Sequence, residues 1–199
     1  YKIDLKSINI DFLSSAAHKF HGPKGVGFTY INKSTKIKSF ICGGPQERGL
    51  RAGTESVHNI VGMTKALEIA DKNMEQEAKH VLSIKEYMID NLRKLFPDIH
   101  FNGESGDIKN STYTILNVCL PISNDKAAML DFNLDLKGIA CSRGSACQSG
   151  SSEGSHVLNE IQSEEQKKFP SVRFSFSHNN KIEEVDYLID TLKELIYSQ

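Results

Sequence analysis

Apolar residues recur every three or four positions across residues 57–96: Ile60, Met63, Leu67, Ala70, Met74, Ala78, Val81, Met88, Leu92 and Leu95. That period marks one face of a helix, so the spacing predicts a long helix here. Lys85 interrupts the stripe, and the length of the pattern predicts a bend near residues 72–77. Pro97 ends the helix, because it lacks the N–H that would continue the ladder. A second helical stripe closes the chain through Val185, Leu188, Ile189, Leu192, Leu195 and Ile196. Asn180 stands at its cap position with Glu183 three residues on, a capping-box pattern. A third helix is expected from the cap residue Asn124 to Lys137, with Gly138 as its stop. A short one is expected over residues 156–161.

Between the helices the pattern shortens and alternates. After a short helix or turn over residues 2–10, a buried strand is expected at 11–14 (DFLS) and another at 26–31 (VGFTYI). Residues 37–42 form a further apolar run. Later strands are expected at 99–101, 111–120 (STYTILNVCL), 139–142 and 172–177. In the last, Val172, Phe174 and Phe176 alternate with Arg173 and Ser175. The C-terminal part therefore reads as an α+β domain, helices against a small sheet, within a chain that is α/β overall. No internal repeat is visible.

The loops carry the candidate chemistry. His18 and Lys19 fall in a Gly/Pro turn just after the first strand, a frequent place for functional residues in α/β sheets. Residues 43–54, GGPQERGLRAGT, combine four glycines with Arg48 and Arg51 and end on Thr54. With Glu55 opening the long helix, Thr54 reads as its N-cap. Residues 139–158, IACSRGSACQSGSSEGSHVL, form a Ser/Gly-rich stretch around Cys147. Alone, this stretch fits a solvated connector as well as a reactive site.

Composition narrows the classes. The chain has 199 residues, 39% hydrophobic and 25% charged, with net charge −1 and a pI near 6.7. This is a soluble, globular profile with no electrostatic bias toward nucleic acid or an anionic membrane. No apolar run approaches membrane-spanning length, and no signal peptide is visible, which predicts a cytoplasmic protein. The four cysteines, at 42, 119, 141 and 147, lack the spacing of a zinc site. Cys42, Cys119 and Cys141 sit among apolar neighbours and read as core residues, while only Cys147 has a loop setting.

Four stretches, in order and covering nearly the whole chain, together resemble cysteine desulfurases of the NifS/IscS type, class V members of the fold-type I pyridoxal-phosphate enzymes. SSAAHKFHGPKG (14–25) is similar to the family's cofactor-lysine segment, and residues 43–54 to its glycine–arginine segment. GSAC (144–147) with EGSHVL (153–158) resembles the active-cysteine loop. VRFS (172–175) with EEVD (183–186) resembles the C-terminal end. The resemblance implies roles. Lys19 would form the Schiff base with pyridoxal 5'-phosphate, His18 would help hold its phosphate, and Thr54 would reach the phosphate of a neighbouring subunit's cofactor. Arg173 would pair with the substrate α-carboxylate, and Cys147 would carry sulfur as a persulfide.

The resemblance also implies a partial large cofactor-binding domain over residues 1–72, a few strands plus the long helix, and a small α+β domain over 73–199 carrying the active-cysteine loop. It implies L-cysteine as substrate, alanine as product, a homodimer in the full-length family, and an iron–sulfur scaffold or other acceptor protein as partner. The residues suit this chemistry. A lysine whose pKa shifts readily serves as nucleophile and base, a guanidinium grips a carboxylate, and a thiolate attacks sulfur. The chain departs from the family at Ala16, where a serine hydroxyl is usual, at Pro45, and at Gly154. It opens just before the lysine, so the residues expected to cup the cofactor are missing and these 199 residues alone are expected to be inactive. Its strands near Asp11 and Val26 are expected to expose apolar faces or edges, which predicts oligomers or a rearranged N-terminal segment.

Bland alternatives stand beside each role. Lys19 could be a solvated turn lysine with Lys24 as rival, His18 and His156 structural histidines, Thr54 a helix cap, and Arg173 a solvent-facing strand residue. A non-catalytic dimerisation or scaffold-docking module, or a selenocysteine lyase, are the alternative functions.

Overall fold

The computed structural model describes residues 1–143 and 155–197. The expected Cys147 loop therefore falls largely outside the described residues. The chain divides into two compact units, Tyr1–Glu75 and Gln76–Gln199.

In the first unit β1 (Phe12–Ala16) pairs antiparallel with β2 (Gly27–Ile31), Phe12 facing Ile31 and Ala16 facing Gly27. Residues 37–42 form no strand. The first strand is not buried, and the apolar exposure expected of the strands near Asp11 and Val26 is present. Phe12 is 52% exposed, Phe28 is exposed, and Phe40 is 99% exposed. Two strands alone cannot cover their own faces. The only buried apolar side chains of the unit are Ala17 and Ala52. The first stretch of helix α1 (Val57–Leu95) completes the unit, with Val57, Val61, Leu67 and Ile69 exposed. The helix is unbroken across the residues where a bend was expected.

The second unit has a conventional core. Its sheet has the order β3–β4–β6–β5, every pair antiparallel: β3 (His100–Phe101), β4 (Ile115–Cys119), β5 (Ser142–Arg143) and β6 (Ser171–Ser175). Alternation sorts the residues. Leu116 and Val118 of β4 and Val172 and Phe174 of β6 enter the core. There they meet Ile84, Met88, Ile89 and Leu92 of α1 and Val185, Leu188, Ile189 and Leu192 of α5 (Ile182–Tyr197). Polar ties reinforce the helix pair: Tyr87 donates its hydroxyl to Asp186 at 2.7 Å, and His80 Nε2 lies 2.9 Å from the carbonyl of Asn180.

Several element ends differ from the sequence expectation. The helix expected over 124–137 is split at Met129 into α2 (Asn124–Ala128) and α3 (Leu130–Leu136), with Ser123 rather than Asn124 at the cap position. Gly138, φ 74°, follows as the left-handed stop. Helix α4 (His156–Ile161) has the expected bounds and is capped by Ser155. In the capping box of α5 the carboxylate is Glu184, not Glu183. It accepts from the Asn180 side-chain amide at 3.0 Å and from the Lys181 backbone N–H at 2.9 Å, which holds it below the usual carboxylate range.

Lys85, which interrupts the apolar stripe, is fully buried. Its ammonium donates to Ser111 Oγ at 2.7 Å and to the Thr112 carbonyl at 2.8 Å, pinning the chain just before β4 to α1. The strand starts at Ile115 rather than 111, opposite Ser175 at the end of β6. Burial pushes the Lys85 amine below its ordinary value, with Asp107 opposing that in part. Unfolded Lys85 thus keeps its proton to higher pH than folded Lys85, so this group makes stability rise from its folded pKa up to the ordinary lysine range. Urea unfolding at about pH 7 and about pH 10 should show that rise, and Lys85→Met should remove it. An identical pH dependence in the variant would contradict the assignment.

Candidate active site

His18 and Lys19 lie in a 3₁₀ turn, Ala17–Phe20, directly after β1. The turn is fixed from below by Ala17, which is wholly buried. Its N–H donates to Val26 O at 3.0 Å, extending the β1–β2 ladder, and its carbonyl accepts from Gly22 N at 2.8 Å. His21 closes the turn in the left-handed region at φ 65°. Two missing side chains make the geometry possible. A Cβ at Gly27 would lie 2.2 Å from Ser15 O, and one at Gly62 would lie 2.8 Å from Pro23 Cγ. Helix α1 can therefore lie against the end of the lysine turn. The turn expected just after the first strand is thus present and ordered. Both His18 and Lys19 point their side chains to solvent. Among the described residues Lys19 Nζ has no hydrogen bond or ion pair, so its amine is accessible.

Thr54 belongs to the same unit and is exposed. It is not the N-cap. Ile60 N donates to Ser56 O at 3.0 Å, so the helix takes its first carbonyl from Ser56, whose hydroxyl also accepts from Asn59. The Thr54 hydroxyl is left unused by the helix. The preceding segment is folded on itself: Ala52 N donates to Ile41 O at 3.1 Å, and Gly53 N to Gln46 Oε1 at 3.2 Å. Glu47 and Arg48 adopt φ of 49° and 56°. Non-glycine residues in that region cost about 1–2 kcal/mol each.

Arg173 lies in the second unit on β6, cross-strand from Asn117 and Ser142. Its Nη2 donates to Ser142 Oγ at 3.2 Å. Its Nε is buried with no partner among the described residues. A buried guanidinium N–H left unmatched is costly, and it marks a place where an anion would be welcome. Ser142 escaped the sequence reading, because its partner Arg173 lies 31 residues away on another strand.

The cysteines separate by environment. Cys119 is buried, and burial pushes its thiol up, partly offset by a hydrogen bond with Ser171. Its Sγ donates to Gln166 O at 3.3 Å. Cys141 is half-buried against the core. Cys42 was expected in the core and is instead exposed, because the run around it forms no strand and finds no cover. Cys147 lies outside the described residues. Among the described residues no group of His, Cys, Asp and Glu could hold a metal, and no helix is long and apolar enough to cross a membrane.

The chain matches the aminotransferase class-V family over residues 1–188, and it belongs to that family. Its similarity within the family is to cysteine desulfurases. It is 39% identical over 198 residues to a cysteine desulfurase of Bradyrhizobium diazoefficiens, covering 98% of this chain and 48% of the relative. It is 38% identical over 195 residues to cysteine desulfurase IscS of Dictyoglomus turgidum, again covering 98% and 48%. A solved NifS-like protein superimposes with a TM-score of 0.76 at 34% identity, covering 94% of this chain and 46% of that one. The α/β class expected from the pattern agrees with that likeness. The chain spans about half the length of these relatives.

Thiol chemistry tests the site description. Cys42 should be alkylated by iodoacetamide on the order of a hundredfold faster than Cys119 in the folded protein, and at comparable rates in denaturant. Peptide mapping by mass spectrometry resolves the two. Equal rates in the native state would contradict the burial of Cys119.

Proposed function

We propose that this chain carries part of a cysteine desulfurase, one that moves sulfur from L-cysteine onto Cys147 and releases alanine, feeding iron–sulfur cluster assembly. The observation that carries the reading is Arg173, a guanidinium with a buried, partnerless Nε. It suits the planar, bidentate carboxylate of an amino acid. The accessible amine of Lys19 and its fixed turn fit a covalent attachment point for pyridoxal 5'-phosphate. His18 and the hydroxyl of Thr54, unclaimed by the helix, are available as phosphate donors, Thr54 toward the cofactor of a second subunit in a homodimer. When bound, the cofactor supplies an electron sink for the substrate's Cα–H bond.

The first unit on this reading is part of a large cofactor-binding domain, and the second is the small domain. The residues then divide the work. Lys19 Nζ would hold the cofactor and would move the proton at the substrate carbon. Arg173 orients the substrate through its carboxylate. The Cys147 thiolate attacks the substrate sulfur: an S–S bond forms, the Cβ–S bond breaks, and its electron pair remains on the carbon, which takes up a proton to give alanine. The sulfurs are oxidised and the carbon is reduced by the same two electrons. Cys119, its thiol raised by burial, stays protonated and takes no part. The persulfide then passes to an acceptor protein in the cytoplasm.

A second reading, a dimerisation or scaffold-docking module without catalysis, is favoured by the exposed Phe12, Phe28 and Phe40 of the first unit. Spectroscopy separates the two. In the native protein containing this chain, added pyridoxal phosphate should give a visible absorption band that Lys19→Ala abolishes. Arg173→Ala should raise the KM for cysteine about a hundredfold. Cys147→Ser should stop sulfur transfer while leaving the band. A native protein that develops no band would overturn the desulfurase reading in favour of the module.

A further inference from the structure

Arg173 stands in the middle of a row of three polar residues that crosses the sheet. Asn117 of β4 lies opposite it on one side and Ser142 of β5 on the other. Side chains alternate along a strand, and Val172 and Phe174 enter the core, so the row occupies the other face. Backbone bonds show which neighbour is tied to Arg173. Phe176 N donates to Thr114 O and Leu120 N to Pro170 O, so even-numbered residues along β6 turn their backbone groups toward β4. Those of Arg173 therefore turn toward β5. This makes Ser142 its hydrogen-bonded partner, with the two Cα atoms about 5.5 Å apart. The ladder between these two residues fixes where the Ser142 hydroxyl sits.

The other side-chain acceptors beside Arg173 on this face are occupied. Asn117 Oδ1 accepts from Asn102 Nδ2 at 2.9 Å. Ser171 Oγ accepts from Asn102 Nδ2 at 3.0 Å and from Gln162 Nε2 at 2.8 Å, and Gln162 Nε2 also donates to Asn102 Oδ1 at 2.8 Å. Ser142 Oγ is the acceptor that meets the guanidinium, at Nη2. Among the described residues no carboxylate pairs with Arg173. A carboxylate there would neutralise the guanidinium and compete with an incoming anion. A hydroxyl orients it and leaves its charge whole. The guanidinium is planar, so holding Nη2 also fixes the direction of the unpartnered Nε–H.

We propose that Ser142 is the positioning residue of the substrate-carboxylate site: its hydroxyl holds the plane of the Arg173 guanidinium ready for the two oxygens. The proposal rests on the reading of Arg173 as the ligand of the substrate carboxylate. Ser142 acts through Arg173, and its contribution is an orientation set before substrate arrives. It is therefore felt in binding rather than in the chemical steps.

The test uses the native protein containing this chain and two variants of the same shape. Ser142→Thr keeps the hydroxyl, and Ser142→Val replaces it with a methyl group; both suit a strand. Arg173→Ala is the reference. In nitrogen-15 NMR, the Arg173 guanidinium signals are identified by their loss in Arg173→Ala. The wild type and Ser142→Thr should show hindered rotation about the Nε–Cζ bond, with distinct Nη signals. Ser142→Val should merge them. With pyridoxal phosphate bound, Ser142→Val should raise the KM for L-cysteine about tenfold and hold kcat within about twofold, while Ser142→Thr keeps both within about twofold. Distinct Nη signals in Ser142→Val overturn the contact. Merged signals with an unchanged KM, or a loss confined to kcat, overturn the positioning role, as does a Ser142→Thr protein that behaves like Ser142→Val. An Arg173→Ala protein with the wild-type KM is a separate outcome: it overturns the carboxylate reading itself, and this proposal with it.

Discussion

The two-faced character of β6 is the constraint on which the second unit depends. Val172 and Phe174 enter a core with α1 and α5, and this burial fixes the strand's register against β4. The intervening residues, Ser171 and Arg173, must then face the other way. A slip of one residue would drive a guanidinium into the apolar core, at a cost of several kcal/mol. The burial that folds the unit therefore also aims Arg173 and places Ser171 beneath Gln162 and Asn102. Folding energy and site geometry are set by the same alternation.

The first unit works differently. It has almost no apolar interior of its own, with Ala17 and Ala52 its only buried apolar residues. What holds the lysine turn is local: a backbone ladder extended to Ala17, a left-handed His21, and two close approaches that only Gly27 and Gly62 permit. Backbone hydrogen bonds and steric fit are short-ranged, so such a turn keeps its shape without a deep core. The amine of Lys19 is thereby presented from a rigid base.

The long-period features were legible in the sequence. Helix α5, the β4 and β6 alternation and the bounds of α4 follow from residue spacing that burial enforces. Positions whose partners are distant in sequence were not. The stripe Ile60, Met63, Leu67 looks like a core face, yet α1 buries nothing before Val81. Periodicity reports amphipathicity and is silent on what covers it. Cys42 failed for the same reason. Thr54 resembled a cap until the hydrogen bond from Ile60 placed the first turn at Ser56. The Asn102–Gln162–Ser171 network draws on three remote segments, and nothing local marks its members. The chemistry of His18, Lys19, Thr54, Cys147 and Arg173 was read from motif resemblance. The structure adds the accessibility of Lys19 and the unmatched Nε of Arg173.

Sulfur-isotope labelling tests the central claim most directly. The native protein, given L-cysteine carrying heavy sulfur and digested without reductant, should show the label on the Cys147 peptide and on none of those containing Cys42, Cys119 or Cys141. Label on the exposed Cys42, or on no cysteine, would contradict the account.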